Sequence, residues 1–420
     1  MGVYRALKIR LPYRLVEERP DVLDLAVRMH LAAEEYARRL LKELTGQEEL
    51  KLTPEELDAL LTPDKKELAH RIIEETFPKY GLRKYFIDQA KVFWRDVVFH
   101  RMIPLNAQLR IENERDRSKA VFVDLKNGVI KVRRLEGTFV IRIREKTAKW
   151  IRERIAEGAK LKLAFLGIER QRGKREPTYR KFYVALVFAR EVTPVEPRGV
   201  VAVDVNRLDH GIVAGLLVDG KLRHTLRLPG ERAIKELKRL HEEISRLDER
   251  AAGEADPAKR RQLEDRVRYL KSKRYRKIRG VVKDVVGEII KLAREHQAAI
   301  VVDTMEEETY RELKEGSWSG EKKHLLDGLG QLRRRLKELA EWYGLPYLEE
   351  RLYSTVCPRC GAEMEELNNR RMRCPSCGFN DDRDNIPLLW AKRLYNELIA
   401  KAVAGAQTTS AQMALSQTQN

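Results

Sequence analysis

Cysteine is scarce, with four in 420 residues, all between Cys357 and Cys377. That excludes a disulfide framework spread through the chain and points to one local site. Long apolar runs are missing as well: no stretch approaches the roughly 18 apolar residues of a membrane span. The opening MGVYRALKIR lacks the apolar core of a signal peptide, so the expected compartment is the cytoplasm. No GxxxxGK(S/T) occurs, which removes support for an ATP-driven motor. Acid is in deficit, since 65 Asp+Glu face 84 Lys+Arg and leave a net charge of +19. A chain so charged should seek a polyanion, nucleic acid first. The 43% hydrophobic content over this length is enough for two or three cores and excludes a wholly disordered or fibrous protein.

The charge is unevenly placed. Residues 21–100 hold 13 Lys+Arg against 16 Asp+Glu, and Val22, Leu23, Leu25, Ala26, Met29, Leu31 and Ala32 fall at the three and four spacings of helices. Residues 101–190 reverse the sign, with 24 basic against 10 acidic, in short runs of β-branched and aromatic residues such as AVFVDL, GTFVIRI and KFYVALVFA. A β-rich module of net charge +14 repels itself unless a counter-charged partner neutralises it, which favours nucleic acid over an ordinary basic surface.

After TPVEPRG, a linker, the pattern changes. GVVAVDVN is an apolar run ending on Asp204, and GIVAGLLVD and KLRHTLRL read as the next strands. Residues 232–296 read as an antiparallel helix pair, with Ile234, Leu237, Leu240, Ile244 and Leu247 on one face. In the return helix KSKRYRKIRG carries Lys271, Lys273, Arg274, Arg276, Lys277 and Arg279 with no acid among them. A solvated helix intersperses acids for i,i+4 pairs, so their absence favours phosphate contact for these six. AAIVVD reads as a buried strand closing on Asp303, and an uncharged C-terminal stretch is expected to be disordered. His210 beside Asp209 reads as solvated in a turn.

Cys357-Pro-Arg-Cys360-Gly and Cys374-Pro-Ser-Cys377-Gly, with 13 residues between the pairs, present four thiolates in two turns. This is the soft, tetrahedral donor set of one structural Zn²⁺, with no position left open for water. The alternative of redox disulfides fits poorly with two knuckles of identical spacing.

The order of these features carries a resemblance. GVVAVDVN, a basic helix leading into AAIVVD, LYSTVCPRCG, and a zinc ribbon running directly into Asp382-Arg383-Asp384 together resemble the TnpB family. These are transposon-encoded relatives of type V CRISPR effectors with a RuvC-like nuclease domain. The resemblance implies a multidomain α/β fold: a ribonuclease H-like RuvC domain with an inserted zinc ribbon, plus an N-terminal wedge β-barrel with an inserted helical recognition module. Its implied boundaries are wedge 1–20 and 101–195, recognition module 21–100, RuvC core 198–350 with a helical hairpin 229–296, ribbon 351–380, a last RuvC segment 381–402 and a disordered tail 403–420. It implies a guide RNA from the transposon end and target double-stranded DNA as partners. The activity it implies is an endonuclease in which Asp204, Asp303 and Asp384 hold two Mg²⁺, the hard carboxylate set that phosphodiester hydrolysis needs.

One position departs from the family pattern. A glutamate usually closes the second strand, and Asp303 is one methylene shorter. A misplacement of about 1 Å can cost on the order of a hundredfold in rate. Either Asp303 coordinates in a tighter site, or the protein is a nuclease-weak or nuclease-dead RNA-guided DNA-binding regulator. Glu306, Glu307 and Glu308 lie close enough in sequence to substitute, though three glutamates in a row read more simply as a solvated helix start. A transposase that itself joins DNA ends ranks last, because no tyrosine stands in a recognisable nucleophile site.

Overall fold

The alternation in GVYRALKIR makes β1 (Gly2–Arg10) a strand with one face exposed. In a computed structural model describing residues 2–47, 52–109, 119–135, 137–170, 179–205, 211–304 and 320–417, the chain divides into an N-terminal unit, Gly2–Glu191, and a C-terminal unit that continues from Val192.

In the N-terminal unit β1 is followed by helices α1 (Tyr13–Glu17), α2 (Pro20–Thr45), α3 (Pro54–Leu60), α4 (Lys66–Thr76), α5 (Lys84–Val92) and α6 (Trp94–His100). Helix α2 begins at a proline, where the missing N–H costs nothing, and ends at Gly46 with φ 74°. Its buried stripe runs through Val22, Leu25, Ala26, Met29, Ala33, Tyr36 and Leu40, and the Tyr36 hydroxyl donates to the Trp94 carbonyl of α6 at 3.1 Å. The chain then forms β2 (Pro104–Leu109), β3 (Val121–Asp124), β4 (Val129–Leu135), β5 (Gly137–Arg142), α7 (Glu145–Ala156), β6 (Lys160–Arg170) and β7 (Tyr179–Glu191). The seven strands make one sheet in the order β1-β7-β6-β2-β3-β4-β5. Among the described residues β1 and β5 are its two edges, so the expected barrel is a half-barrel. Gly167 faces Tyr183 across β6 and β7. A Cβ there would run into the Tyr183 ring, so only glycine lets that ring lie over the strand.

The C-terminal unit opens with a meander, β8 (Gly199–Asp204), β9 (Ile212–Val218) and β10 (Lys221–Leu228), then the hairpin α8 (Glu231–Gly253) and α9 (Pro257–Glu295). It continues with β11 (Ala298–Asp303), α10 (Gly320–Tyr343) and β12 (Tyr347–Glu350). The five strands order as β10-β9-β8-β11-β12, with β8, β11 and β12 parallel and the meander antiparallel. That mixed five-stranded order is the ribonuclease H-like arrangement. Strands β8 and β11 are apolar along their length because both faces are covered. Val201, Val203, Ile300 and Val302 pack on one face against Val282, Val285 and Ile289 of α9. Val200, Ala202, Val213 and Val301 pack on the other with Ile386, Leu388 and Trp390. Those last three belong to α11 (Ile386–Arg393), which follows the short ribbon strands β13 (Glu365–Glu366), β14 (Arg371–Arg373) and β15 (Asn380–Asp382).

Residues 403–417 of the stretch expected to be a disordered tail are instead part of α12 (Tyr395–Gln417). Its many alanines supply the strongest helix propensity of any residue, and lack of charge alone does not prevent a helix. Among the described residues no helix is long and apolar enough to cross a membrane.

Candidate active site and zinc ribbon

Strand pairing sets the positions of the candidate acids. Val203 pairs with Val302, so Asp204 and Asp303, one residue further along, end neighbouring parallel strands at one level, about 4.8 Å apart. Alternation puts both on the face that α11 covers. Asp384 precedes α11 by two residues and so enters that same face. Asp204 and Asp384 are 4% and 6% exposed. Buried carboxylates need counter-charges or strong donors, and Asp384 has two: Arg370 of the ribbon donates to its Oδ1, and Arg227 Nη1 lies 3.8 Å from its Oδ2. Arg227 also stands 3.5 Å from Asp382 Oδ2 and donates to Asn385 Oδ1 at 3.1 Å.

The row extends across the sheet. Asp204 pairs with Val213, Val213 with Arg227 and Asp303 with Glu350. Neither Arg227 nor Arg370 stood out in the sequence; the signal for Arg227 was its alternate position on KLRHTLRL, meaningful only once the register is known. Glu350 accepts from Lys401 Nζ at 2.8 Å.

Asp303 is differently occupied. Its Oδ1 accepts from the Leu352 N–H at 2.7 Å, a donor just beyond β12, on the side of β11 away from β8. Burial pushes its carboxyl up to about 6, against the lowering influence of the Leu352 N–H and of Arg333 and Arg351. The three acids offer hard oxygens on one face, the donor type that suits Mg²⁺, but as they stand their carboxylates are not close enough together to form a group of three that could share an ion. Glu306, Glu307, Glu308, Asp209 and His210 lie outside the described residues.

The thiols are fully assembled. The ligand atoms of Cys357, Cys360, Cys374 and Cys377 lie within 4.8 Å of one another, and among the described residues they are the one such group of three or more close enough to share an ion. Cys357 and Cys377 sulfurs are 3.5 Å apart, and those of Cys360 and Cys374 3.4 Å. Zn–S bonds of about 2.3 Å in a tetrahedron require sulfur spacings of about 3.8 Å, so the four can hold one zinc with small adjustment. The two knuckles repeat one geometry. Gly361 and Gly378 sit at φ 80° and 70°, and their N–H groups donate to the carbonyls of Cys357 and Cys374 at 2.9 and 3.0 Å. Burial works against ionising Cys374, but the N–H of Cys377 and neighbouring sulfurs outweigh it and bring the thiol down to about 7.

The basic helix differs from its sequence reading. The acids absent from KSKRYRKIRG come from α8: Asp248 accepts from Lys271 at 2.6 Å, and Glu236 pairs with Lys277. Arg274 is 4% exposed and lies 3.2 Å from His241, so it is no surface group. Lys273, Arg276 and Arg279 remain exposed.

Residues 330–386, from within α10 through the ribbon to the start of α11, match the family model described as Cas12f1-like, TNB domain. This agrees with the resemblance read from the sequence: over this segment the chain is similar to the Cas12f1-like TNB domain. Among solved structures it is similar to the Cas12f1 chain of a Cas12f1–sgRNA–target DNA complex, at 10% identity over 89% of this chain and 83% of that one, TM-score 0.48. It is also similar to the mini-RNA-guided endonuclease Cas_phi3, at 11% identity over 62% and 57%, TM-score 0.38. No curated protein matches the chain.

Proposed function

We propose that the protein is an RNA-guided, Mg²⁺-dependent DNA endonuclease encoded by a transposable element. The observation that carries this reading is the placing of Asp204, Asp303 and Asp384 on one face of a ribonuclease H-like sheet, beside a ribbon that matches a Cas12f1-like domain. Metal ions bound by these acids would neutralise the scissile phosphate and lower the pKa of a water. Asp204 and Asp384 are held rigidly because a buried strand and a buried helix start fix them, and Arg227 and Arg370 balance the charge of Asp384 when no metal is bound. The basic N-terminal unit and the outer face of α9, with Lys273, Arg276 and Arg279, hold nucleic acid by its backbone while base pairing reads the target. In this assignment the N-terminal unit is the wedge with its recognition helices, and guide RNA and target DNA are the partners.

A specific observation supports a second reading. The Asp303 carboxylate is bonded to Leu352 N–H, away from Asp204, which favours a weak nuclease that acts as an RNA-guided DNA-binding regulator. The test is cleavage of a guide-matched plasmid by the purified ribonucleoprotein in Mg²⁺, beside Asp204→Ala. Cleavage by the parent alone supports the nuclease. Guide-dependent binding without cleavage selects the regulator, and equal nicking by both proteins rejects these acids as the site.

A further inference from the structure

Both knuckles of the ribbon are bonded to the segment that carries Asp384. The second, Cys374 to Cys377, is the turn between β14 and β15, which pair Arg371 with Asp382. Just beyond that pairing the Arg383 N–H donates to the Arg370 carbonyl at 2.8 Å, and the Arg370 guanidinium reaches Asp384. The first knuckle holds the helix that follows. Trp390 Nε1 of α11 donates to the Val356 carbonyl at 2.8 Å, and Arg393 to the Pro358 carbonyl at 3.2 Å. The two knuckles meet at the four sulfurs, so the placing of Asp384 and α11 depends on that cluster.

The sulfurs are unequally sheltered. Cys360 and Cys377 are exposed, whereas Cys357 and Cys374 are buried. The close pairs, Cys357 with Cys377 at 3.5 Å and Cys360 with Cys374 at 3.4 Å, each set an exposed sulfur of one knuckle beside a buried sulfur of the other. Zinc is the resting occupant, and it keeps its ligands as thiolates, the nucleophilic form of cysteine. Each pair thus offers one sulfur that solvent can reach and a second poised to resolve it.

We infer that the ribbon is an oxidation site for hydrogen peroxide, converted from four zinc-bound thiolates to two disulfides that cross between the knuckles, and that this change loosens Asp384 and α11. The Cys377 or Cys360 thiolate attacks one peroxide oxygen: an S–O bond forms, the O–O bond breaks and hydroxide leaves. The buried thiolate beside it then attacks that sulfur, forming the S–S bond and expelling a second hydroxide. Each pair gives two electrons to one peroxide, so two peroxides turn four thiolates into two disulfides and four hydroxides. A site stripped of its thiolates releases its zinc. The sulfurs of each pair must also close to about 2.05 Å, which shifts the hairpin between Arg370 and Asp384. No step draws on nucleic acid or on metal at the acids, so the inference stands or falls apart from the nuclease reading.

The test treats the full-length, zinc-loaded protein with hydrogen peroxide at about two equivalents per chain, the balance of the reaction above. A chromogenic chelator is expected to read about one zinc released per chain. Tandem mass spectrometry of a tryptic digest, in which cleavage after Arg359 parts Cys357 from Cys360, is expected to find Cys357 linked to Cys377 and Cys360 to Cys374. Amide hydrogen exchange should rise by about tenfold or more in residues 380–393, stay unchanged in the N-terminal unit, and return on adding dithiothreitol with Zn²⁺. A chain carrying Cys360→His and Cys377→His keeps a common zinc donor set without the exposed thiols, and should hold its metal through the same treatment. Zinc retained by the parent would overturn the site, as would equal loss from the double variant. Disulfides closed within each knuckle would overturn the pairing, and unchanged exchange in residues 380–393 after zinc loss would overturn the link to Asp384.

Discussion

Asp204 and Asp303 end adjacent parallel strands side by side, one residue beyond the paired Val203 and Val302. Nearly a hundred residues separate them in sequence, and only the register of β8 against β11 makes them neighbours. Their surroundings differ: Asp204 is buried at a strand end facing α11, whereas Asp303 is bonded to the Leu352 N–H.

That difference predicts the effect of restoring the missing methylene. Asp303→Glu reaches further from the same strand end, and is expected to raise single-turnover cleavage above that of the parent by tenfold or more, given what about 1 Å of misplacement costs. A lower or equal rate in a folded variant contradicts the role given to this position.

The raised Asp303 pKa has a sign that can be measured. The folded group titrates near 6 and the unfolded one near 3.9, so between these values the folded state holds the extra proton. Stability without added Mg²⁺ should therefore fall as pH rises from about 4 to about 6, by on the order of 1–2 kcal/mol, and then level off. Urea titrations of the parent and Asp303→Asn check this. The asparagine can still accept from Leu352 N–H and should lack this contribution to the slope.

Zinc removal should unmake the ribbon. Chelation, or Cys374→Ser, is expected to release about one zinc per chain and to lower the melting temperature of the C-terminal unit by several degrees, since metal binding in such sites is folding free energy. Metal analysis with calorimetry measures both. An unaltered melt without zinc contradicts the structural role.

Arg370 balances a buried acid. Arg370→Ala leaves the Asp384 carboxylate with one fewer donor and should cost about 1–3 kcal/mol. Asp384→Asn in the same chain should return part of that loss, and the coupling in this double-mutant cycle is the measured quantity.

On α9, Lys273, Arg276 and Arg279 are exposed, whereas Lys271 and Lys277 are held by Asp248 and Glu236. Replacing the first three by alanine should weaken RNA or DNA binding and reduce the salt slope by about three, roughly one per residue. Replacing the other two should change the slope little.

Local chemistry explains what could be read in advance. Strands β8 and β11 announced themselves because covering both faces forces a continuous apolar run, and the ribbon because zinc needs four thiols in two turns. The hairpin showed its apolar stripe at Leu237, Leu240 and Ile244. Pairings across the chain were hidden: the acids of α8 that meet Lys271 and Lys277 lie over twenty residues upstream, and Arg227 reaches Asp384 from another strand. Helix α7 sits inside a β-rich stretch with a short apolar face, Ala148 and Ile151, that a strand pattern masks. The last helix was missed because its composition was weighed for charge and not for alanine.

The most direct test of the shared metal site is anomalous diffraction from crystals soaked in Mn²⁺. The account predicts density about 2.0–2.2 Å from carboxylate oxygens of both Asp204 and Asp384, with Arg227 and Arg370 drawn aside. Manganese bound to neither, or to one without the other, would contradict it.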